Sequence, residues 1–477
     1  MYYEKKYATH PLYKGRVYVN DFSSGIRSDK HPTLTPIYTA NSSFNTRFES
    51  GALKSSNGIK RSDFNGSSAV FNIPNCYAKK LYYYKRYDEK VGLYVDYLMV
   101  YATDKNVYQL KIGQDDQFSV VQELNFENPP ECASYTYNGK DVVIFSEGNS
   151  LKVYDGESVT SVTDGPKLTS ICIHNERLFA TEGGQKTTLW FSDDFNPLNW
   201  NLSLEEAGYI DLRDGRGSLV KVISFNGYVY VFRNYGITRI TAYGDQTAFS
   251  VDGITASIGK ISPKSIAVCG NQVIFLAKEG FYTFSGGSPV RIMERLDGVI
   301  CGAYQDEAKG VYYNGNYYCL LKVKDENENY ISGVVCYNLA DKTFTLYRDL
   351  YIEDFTLLEG ENYFKLLFIC ADNCAIGELS NKSEYFGGSL QKSWKSGKSD
   401  FDVRKIKNIT RLFINTKTPI ELTLESERGS RKVYFKGSPV RQSLPVSIAG
   451  EYFSVQIKCE YPECLVTYIG IEFEYGV

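Results

Sequence analysis

SLVKVISFNGYVYVFRNYGITRITAYG, Ser218 to Gly244, is the stretch whose reading decides the fold. Apolar and polar side chains alternate through it with the period of two that marks a half-buried strand. Asn226-Gly227 interrupts the first alternation, and a Gly-containing turn at Asn234–Gly236 interrupts the second. Asn and Gly stand there because a two-residue hairpin needs positive φ, which these residues adopt most easily. With the FSVDG segment ending at Gly253, the unit is a sheet of four short strands. Such a sheet cannot bury both of its faces alone, whereas a closed ring of them can.

The same grammar recurs on both sides. One unit runs from Lys79 to Leu124, the next from Ala133 to Asp164, and a third from LTSICIHNERLFATEG to Leu212. Downstream of the opening stretch lie Ile261–Glu294, Ile300–Asp349 and a less regular unit beginning at DFTLLEG. Turns at Asn138-Gly139, Asn226-Gly227, Gly270-Asn271 and Gly315-Asn316 occupy the same place in four units. A repeat of roughly 35 to 50 residues built from four strands is the mark of a propeller blade. The expectation is therefore an all-β protein whose middle, residues 73–392, is a β-propeller of six or seven blades. A stacked array of β-sandwiches is the structural alternative.

The ends read differently. Residues 1–72 are rich in Ser, Asn, Gly and Thr and carry Pro11, Pro32 and Pro36. They read as an extended N-terminal arm that contributes in part to the propeller and is ordered only against a neighbour. Residues 393–477 alternate strictly through KNITRLFINTKTPIELTLE and EYFSVQIKCEYPECLVTYIGIEFEY, which predicts a small C-terminal β-sandwich.

Composition narrows the function. The chain of 477 residues has 40 Tyr and 27 Phe against 3 Met, a bias towards pleated surfaces and towards interfaces wet at one edge. A net charge of −3 argues against a general nucleic-acid binder. Charge is uneven: Met1–Lys90 holds roughly twice as many basic as acidic residues, and Thr103–Asp211 is acidic. Eleven Cys is an odd number. Cys172, Cys269, Cys301, Cys319, Cys336 and Cys370 sit in apolar runs, as buried reduced thiols do in a protein folded in the cytoplasm. The closer pairs Cys370–Cys374 and Cys459–Cys464 lack zinc-site spacing, and three His cannot complete such a site. No metal or cofactor is expected. Neither a signal-peptide pattern nor an apolar run long enough to cross a bilayer is present, so no membrane insertion is expected.

The most distinctive motif is LWFSDDFNPLNWN, Leu189 to Asn201, with Trp190, Asp193, Asp194, Pro197 and Trp200 around one tight turn. Its likeness to the sialidase Asp-box fails at Asn196-Pro197, where Gly belongs, and at the extra residue before Trp200. We read it as a structural turn motif. Asp193, Asp194, Asp211 and Asp214 could be assembled into an acid–base pair, but a β protein with 56 acidic residues supplies such sets freely. No nucleophile elbow, metalloprotease helix or phosphate loop is present, so no enzyme is expected. A glycan-cleaving propeller would need an Arg cluster and a Tyr–Glu pair facing one pocket.

LWFSDDFNPLNW also resembles a turn found in β-propeller proteins of tailed-phage virions. SIGKISPKSIAVCGNQVIFLAKEGFYTFSG, Ser257 to Gly286, is similar to their segment in which a Gly-x-x-Ser-Pro-x-Ser entry precedes an apolar strand. FSSGIRSDKHPTLTPIYTANSSFNTRFESGALKSSNGIK, Phe22 to Lys60, resembles their N-terminal arm. The family is the tail-nozzle and packaged-DNA-stabilization group. The resemblance implies a structural virion protein of the tail or head–tail region, made in the host cytoplasm. It implies a homo-oligomeric ring, a hexamer, that meets the portal or head–tail adaptor and other tail proteins. Viral double-stranded DNA would pass through without sequence-specific binding. Acidic loops carrying Asp115, Asp116, Glu205 and Glu206 would line that channel and repel phosphates. A receptor- or carbohydrate-binding propeller module is the alternative.

Overall fold

The computed structural model describes residues 12–64, 70–89, 91–184, 186–204, 206–255, 257–300, 306–360, 363–372 and 374–476. Its middle is a β-propeller of seven blades, each sheet built on four antiparallel strands. Blade 1 comprises Ala78–Asp88, Leu93–Ala102, Asn106–Lys111 and Ser119–Asn125. Blades 2 to 6 follow in chain order, opening with Glu131–Tyr137, Leu168–His174, Leu219–Phe225, Ala267–Cys269 and Lys309–Tyr313. The first hairpins of blades 2, 4 and 6 close on Asn-Gly pairs at positive φ, Asn138-Gly139, Asn226-Gly227 and Asn314-Gly315, while blade 3 turns on Asn175-Glu176 and blade 5 on Gly270-Asn271. In blade 6 the turn therefore sits one residue earlier than the spacing predicts, because Tyr313 pairs Asn316.

Blade 7 explains its irregular sequence. Three of its strands, Ile352–Glu359, Phe364–Cys370 and Ile376–Ser380, are consecutive, but the fourth is Gly58–Arg61. That strand lies antiparallel to Ile376–Ser380, from Gly58 opposite Ser380 to Arg61 opposite Gly377. The ring is thus closed by a segment more than 300 residues upstream of its partner.

Alternation along each strand delivers side chains to both neighbours. In blade 2, Val143 and Phe145 join Tyr82, Tyr97 and Met99 of blade 1, whereas Val142 and Ile144 join Leu168 and Leu178 of blade 3. Separate apolar cores fill the remaining junctions, including one between blades 7 and 1 built on Leu367, Ile369, Leu81 and Val100. Tyrosines tie the blades as well. Tyr82 and Tyr84 donate from blade 1 to the carbonyls of Pro130 and Asp141, and Tyr83 donates to that of Glu359 in blade 7. Tyr317 and Tyr313 of blade 6 reach Ser265 and Phe364 on either side. Much of the aromatic excess therefore works inside the ring.

The N-terminal segment corrects the expectation of an extended arm ordered against a neighbour, because it is woven into its own chain. Leu12–Val19, Thr46–Glu49 and Ala52–Ser55 join Leu465–Gly476, Lys407–Thr416 and Gln442–Gly450 in one sheet of the C-terminal sandwich. Ala40–Phe44 joins Lys392–Ser396, Phe453–Cys459, Ile420–Ser426 and Gly429–Phe435 in the other. Residues 393–477 accordingly form only part of that sandwich. Small polar side chains suit this role because they let backbones approach and supply their own hydrogen bonds. Asn45, fully buried at φ 56°, donates from its backbone to Leu346 O of blade 6 and from its side chain to Gln391 O. Its Oδ1 accepts from Arg348 N at 3.1 Å. The ten described cysteines are all free thiols.

Ring closure sets the first prediction. A Cβ on Gly58 would lie 2.0 Å from Glu384 O and 2.4 Å from Glu384 N, both backbone atoms that cannot rotate away. Gly58→Val is expected to lower stability by about 2 kcal/mol or more through overpacking. Urea unfolding followed by tryptophan fluorescence checks it, with Gly287→Ala, in open space and at an ordinary φ, for comparison.

Candidate functional site: the propeller axis

Successive connections in an antiparallel blade alternate between the two faces of the ring. The residues that begin each first strand therefore converge on one face, around the axis. There they surround a cavity of about 540 Å³ to which all seven blades contribute. Blade 1 presents Lys80 and Tyr82, blade 2 Glu131 and Cys132, blade 3 Ile171 and blade 4 Lys221. Blade 5 presents Ile266 together with Lys264 from the turn Pro263–Ser265, blade 6 presents Lys309, and blade 7 Asp354 and Phe355.

The charges are organised as pairs across blade boundaries. Lys221 meets Glu131 at 2.7 Å and Lys309 meets Asp354 at 3.0 Å. Asp354 also accepts the backbone N–H of Leu81 at 2.9 Å, so one carboxylate links blades 6, 7 and 1. Lys80 donates to the carbonyl of Pro130 at 2.6 Å and lies over the Tyr82 ring. Lys79 pairs Glu353 at 3.0 Å beside the mouth. Burial by itself would raise the Glu131 carboxyl, but the Lys221 and Lys80 ammonium groups hold it below its ordinary value. Burial lowers the Lys80 ammonium, a shift that Glu131 and Asp354 only partly offset. Burial also pushes the Cys132 thiol up to about 11, the opposite of an activated nucleophile.

The acidic residues expected to line a channel enclosed by a ring of subunits lie away from the propeller axis. Asp115 and Asp116 sit between the third and fourth strands of blade 1, where Asp115 accepts from Lys111 N at 2.8 Å. Glu206 precedes the last strand of blade 3 and pairs Arg177 at 3.3 Å. Connections of this kind emerge on the face opposite the axial cavity. Glu205 lies outside the described residues.

The tryptophan-rich turn joins the third and fourth strands of blade 3. Asp193 holds it closed, accepting from Asn199 Nδ2 at 2.8 Å while its N–H donates to Asn199 O. Pro197 is buried at its centre, and Trp200 packs into the core between blades 2 and 3 against Gly165. Trp190 stands against Tyr209 and donates to Glu182 at 3.3 Å. Carboxylate oxygens of Asp193, Asp194 and Glu206 lie within 4.8 Å of one another. The Arg177 guanidinium reaches Asp194 and Glu206 and supplies positive charge there. Asp211 and Asp214 do not join them. Asp214 binds fully buried Arg233 at 2.7 Å and Arg216 at 2.6 Å, clamping the link between blades 3 and 4.

No family model and no curated protein matches the chain. Among solved structures it is similar to BBS1N in complex with ARL6DN, in a mercury-soaked crystal. The TM-score is 0.43 at 9% identity, over 68% of this chain and 96% of that one. It is similar to the Pan2 WD40 domain of Neurospora crassa, with a TM-score of 0.41 at 8% identity, over 69% and 99% of the two chains. An ancestral GH74 enzyme gives 0.42 at 10% identity, over 72% and 56%.

Glu131 carries a pH prediction. Because folding lowers its pKa, its contribution is complete above the ordinary value of 4.5 and disappears as pH falls through the lowered one. Glu131→Gln, which leaves Lys221 unpaired, is expected to destabilise the protein by about 2 kcal/mol at neutral pH. The variant should lose less further stability than the wild type between pH 5 and pH 3, roughly the span of carboxylate titration. Thermal melts across that range measure both effects.

Proposed function

We propose that this chain is a structural, non-enzymatic subunit of a tailed-phage virion, forming a homo-oligomeric ring in the tail or head–tail region through which the genome passes. The observation that carries the reading is the surface the fold leaves uncovered. Half of the large apolar side chains that remain exposed among the described residues are tyrosines, the type favoured at wet protein interfaces. Two groups stand out. The first hairpin of blade 1, with strands of eleven and ten residues, ends in exposed Tyr87, Val91, Leu93 and Tyr94. Among the described residues the edge strand Leu12–Val19 pairs only with Leu465–Gly476, and it exposes Leu12, Tyr13 and Tyr18. An uncovered edge of this kind is a template for a second chain.

The weave of the N-terminal segment supports the same reading. It joins propeller and sandwich into one block through strands paired in both. Partners under this reading are further copies of the chain, the portal or adaptor, and neighbouring tail proteins. A receptor- or carbohydrate-binding module is the second reading, favoured by the axial cavity; binding to a glycan array separates it from the first.

The purified chain is expected to form closed rings, seen by electron microscopy and as multiples of the 54.0 kDa subunit by mass photometry. Tyr87→Ser combined with Tyr94→Ser should shift that distribution towards monomer while leaving the melting temperature of the fold within a few degrees, as for surface substitutions of about 0.5 kcal/mol. A strictly monomeric wild type at micromolar concentration would remove the ring reading.

A further inference from the structure

The axial cavity holds more positive charge than its own carboxylates neutralise. At the level where the first strands enter, the blades bring in Lys80, Lys221, Lys264 and Lys309 against Glu131 and Asp354. Glu359 also faces the void but stands five residues further along its strand than Asp354. Both nearer carboxylates are already engaged, Glu131 by Lys221 and Asp354 by Lys309 and Leu81 N. Lys80 is left with a carbonyl partner. Lys264 has neither a hydrogen bond nor an ion pair among the described residues. The enclosed Lys80 ammonium is costly without a counter-charge in contact, and a bound anion removes that cost, with exposed Lys264 adding attraction at the mouth.

We propose that this cavity binds a small organic anion, a carboxylate or a phosphate ester carrying a compact apolar body. Its anionic group lies towards Lys80 and Lys264, and its body lies against Tyr82, Ile171, Ile266 and Phe355. The volume argues for the body, since about 540 Å³ falls in the range of small-molecule pockets and far exceeds what an inorganic oxyanion fills. The walls argue for it too, because the edges of those four otherwise buried residues border the void between the charged groups. Lys264 is exposed at the mouth and Lys80 lies deeper, so the two supply positive charge at two depths of one entry path. The site belongs to a single propeller and exists whether or not the chain forms a ring.

Calorimetric titration of the full chain with phenyl phosphate and with benzoate tests this, with phenol and inorganic phosphate as comparisons. At least one of the two organic anions is expected to bind saturably, one per chain, with a dissociation constant below about 1 mM, and to raise the melting temperature. Which one binds separates phosphate ester from carboxylate. Lys264→Ala, at an exposed position that the fold tolerates, should weaken binding about tenfold, as loss of one charged hydrogen bond does. Lys264→Arg should restore most of it. Lys436→Ala, on the sandwich surface, should change nothing. The proposal is overturned if neither organic anion binds up to about 10 mM, if phenol binds as well as they do, or if inorganic phosphate binds as tightly as phenyl phosphate. Binding that Lys264→Ala and Lys80→Met both leave intact would place the anion elsewhere and overturn it equally.

Discussion

Closure of the ring is the constraint on which the rest of the molecule depends. Six blades complete themselves from consecutive sequence, and the seventh does not. Without Gly58–Arg61, the strand Ile376–Ser380 would present an unpaired row of backbone donors and acceptors to solvent. Backbone pairing across the chain's two halves converts an open stack of sheets into a closed one. The close fit of Gly58 against the backbone of residues 382–384 shows how little room that joint leaves. Once the ring is closed, every first strand faces the axis and each blade face meets another.

Closure also explains the deployment of tyrosine. Junctions between twisted sheets are wedge-shaped, and a tyrosine fills the wedge with its ring while its hydroxyl satisfies a carbonyl on the neighbouring blade. Tyr82, Tyr84, Tyr313 and Tyr317 act in this way, each crossing from one blade to the next. Phenylalanine in the same places would leave those carbonyls without that partner. The aromatic bias visible in the composition thus has two sources, one inside the ring and one on the exposed hairpin and edge strand. Composition alone does not divide them.

Local features were readable from sequence, and features that depend on distant partners were not. Asn138-Gly139 and Asn226-Gly227 mark hairpins because positive φ is a property of the residues themselves. The seventh blade reads as less regular because its outer strand lies before the first blade. The N-terminal segment looked extended because its Ser- and Asn-rich strands have little intrinsic preference for a sheet and are held by pairing and by Asn45. At the site, each blade supplies one or two axial residues, with no shared motif and at irregular intervals. Lys80, Glu131, Lys221, Lys264, Lys309 and Asp354 become a group only when the ring brings them together.

The weave has a mechanical consequence. Between Ala40 and Arg61 the chain passes through one sandwich sheet, then the other, then the seventh blade. Three short turns separate these strands, so none can move far without pulling on the next. Asn45 and Arg348 lock the first of those passages to blade 6, where Arg348 also pairs Glu326 at 2.6 Å and lies over the Phe44 ring. A force applied to the sandwich is therefore carried into the outer strands of blades 6 and 7. The axial groups stay fixed by their own cross-blade pairs, chiefly Asp354 with Lys309 and Leu81. Two independent sets of contacts, one at the rim and one at the axis, resist opening of the ring at the single place where it is joined non-consecutively. That redundancy is what a closed ring needs when its last strand comes from the far end of the chain.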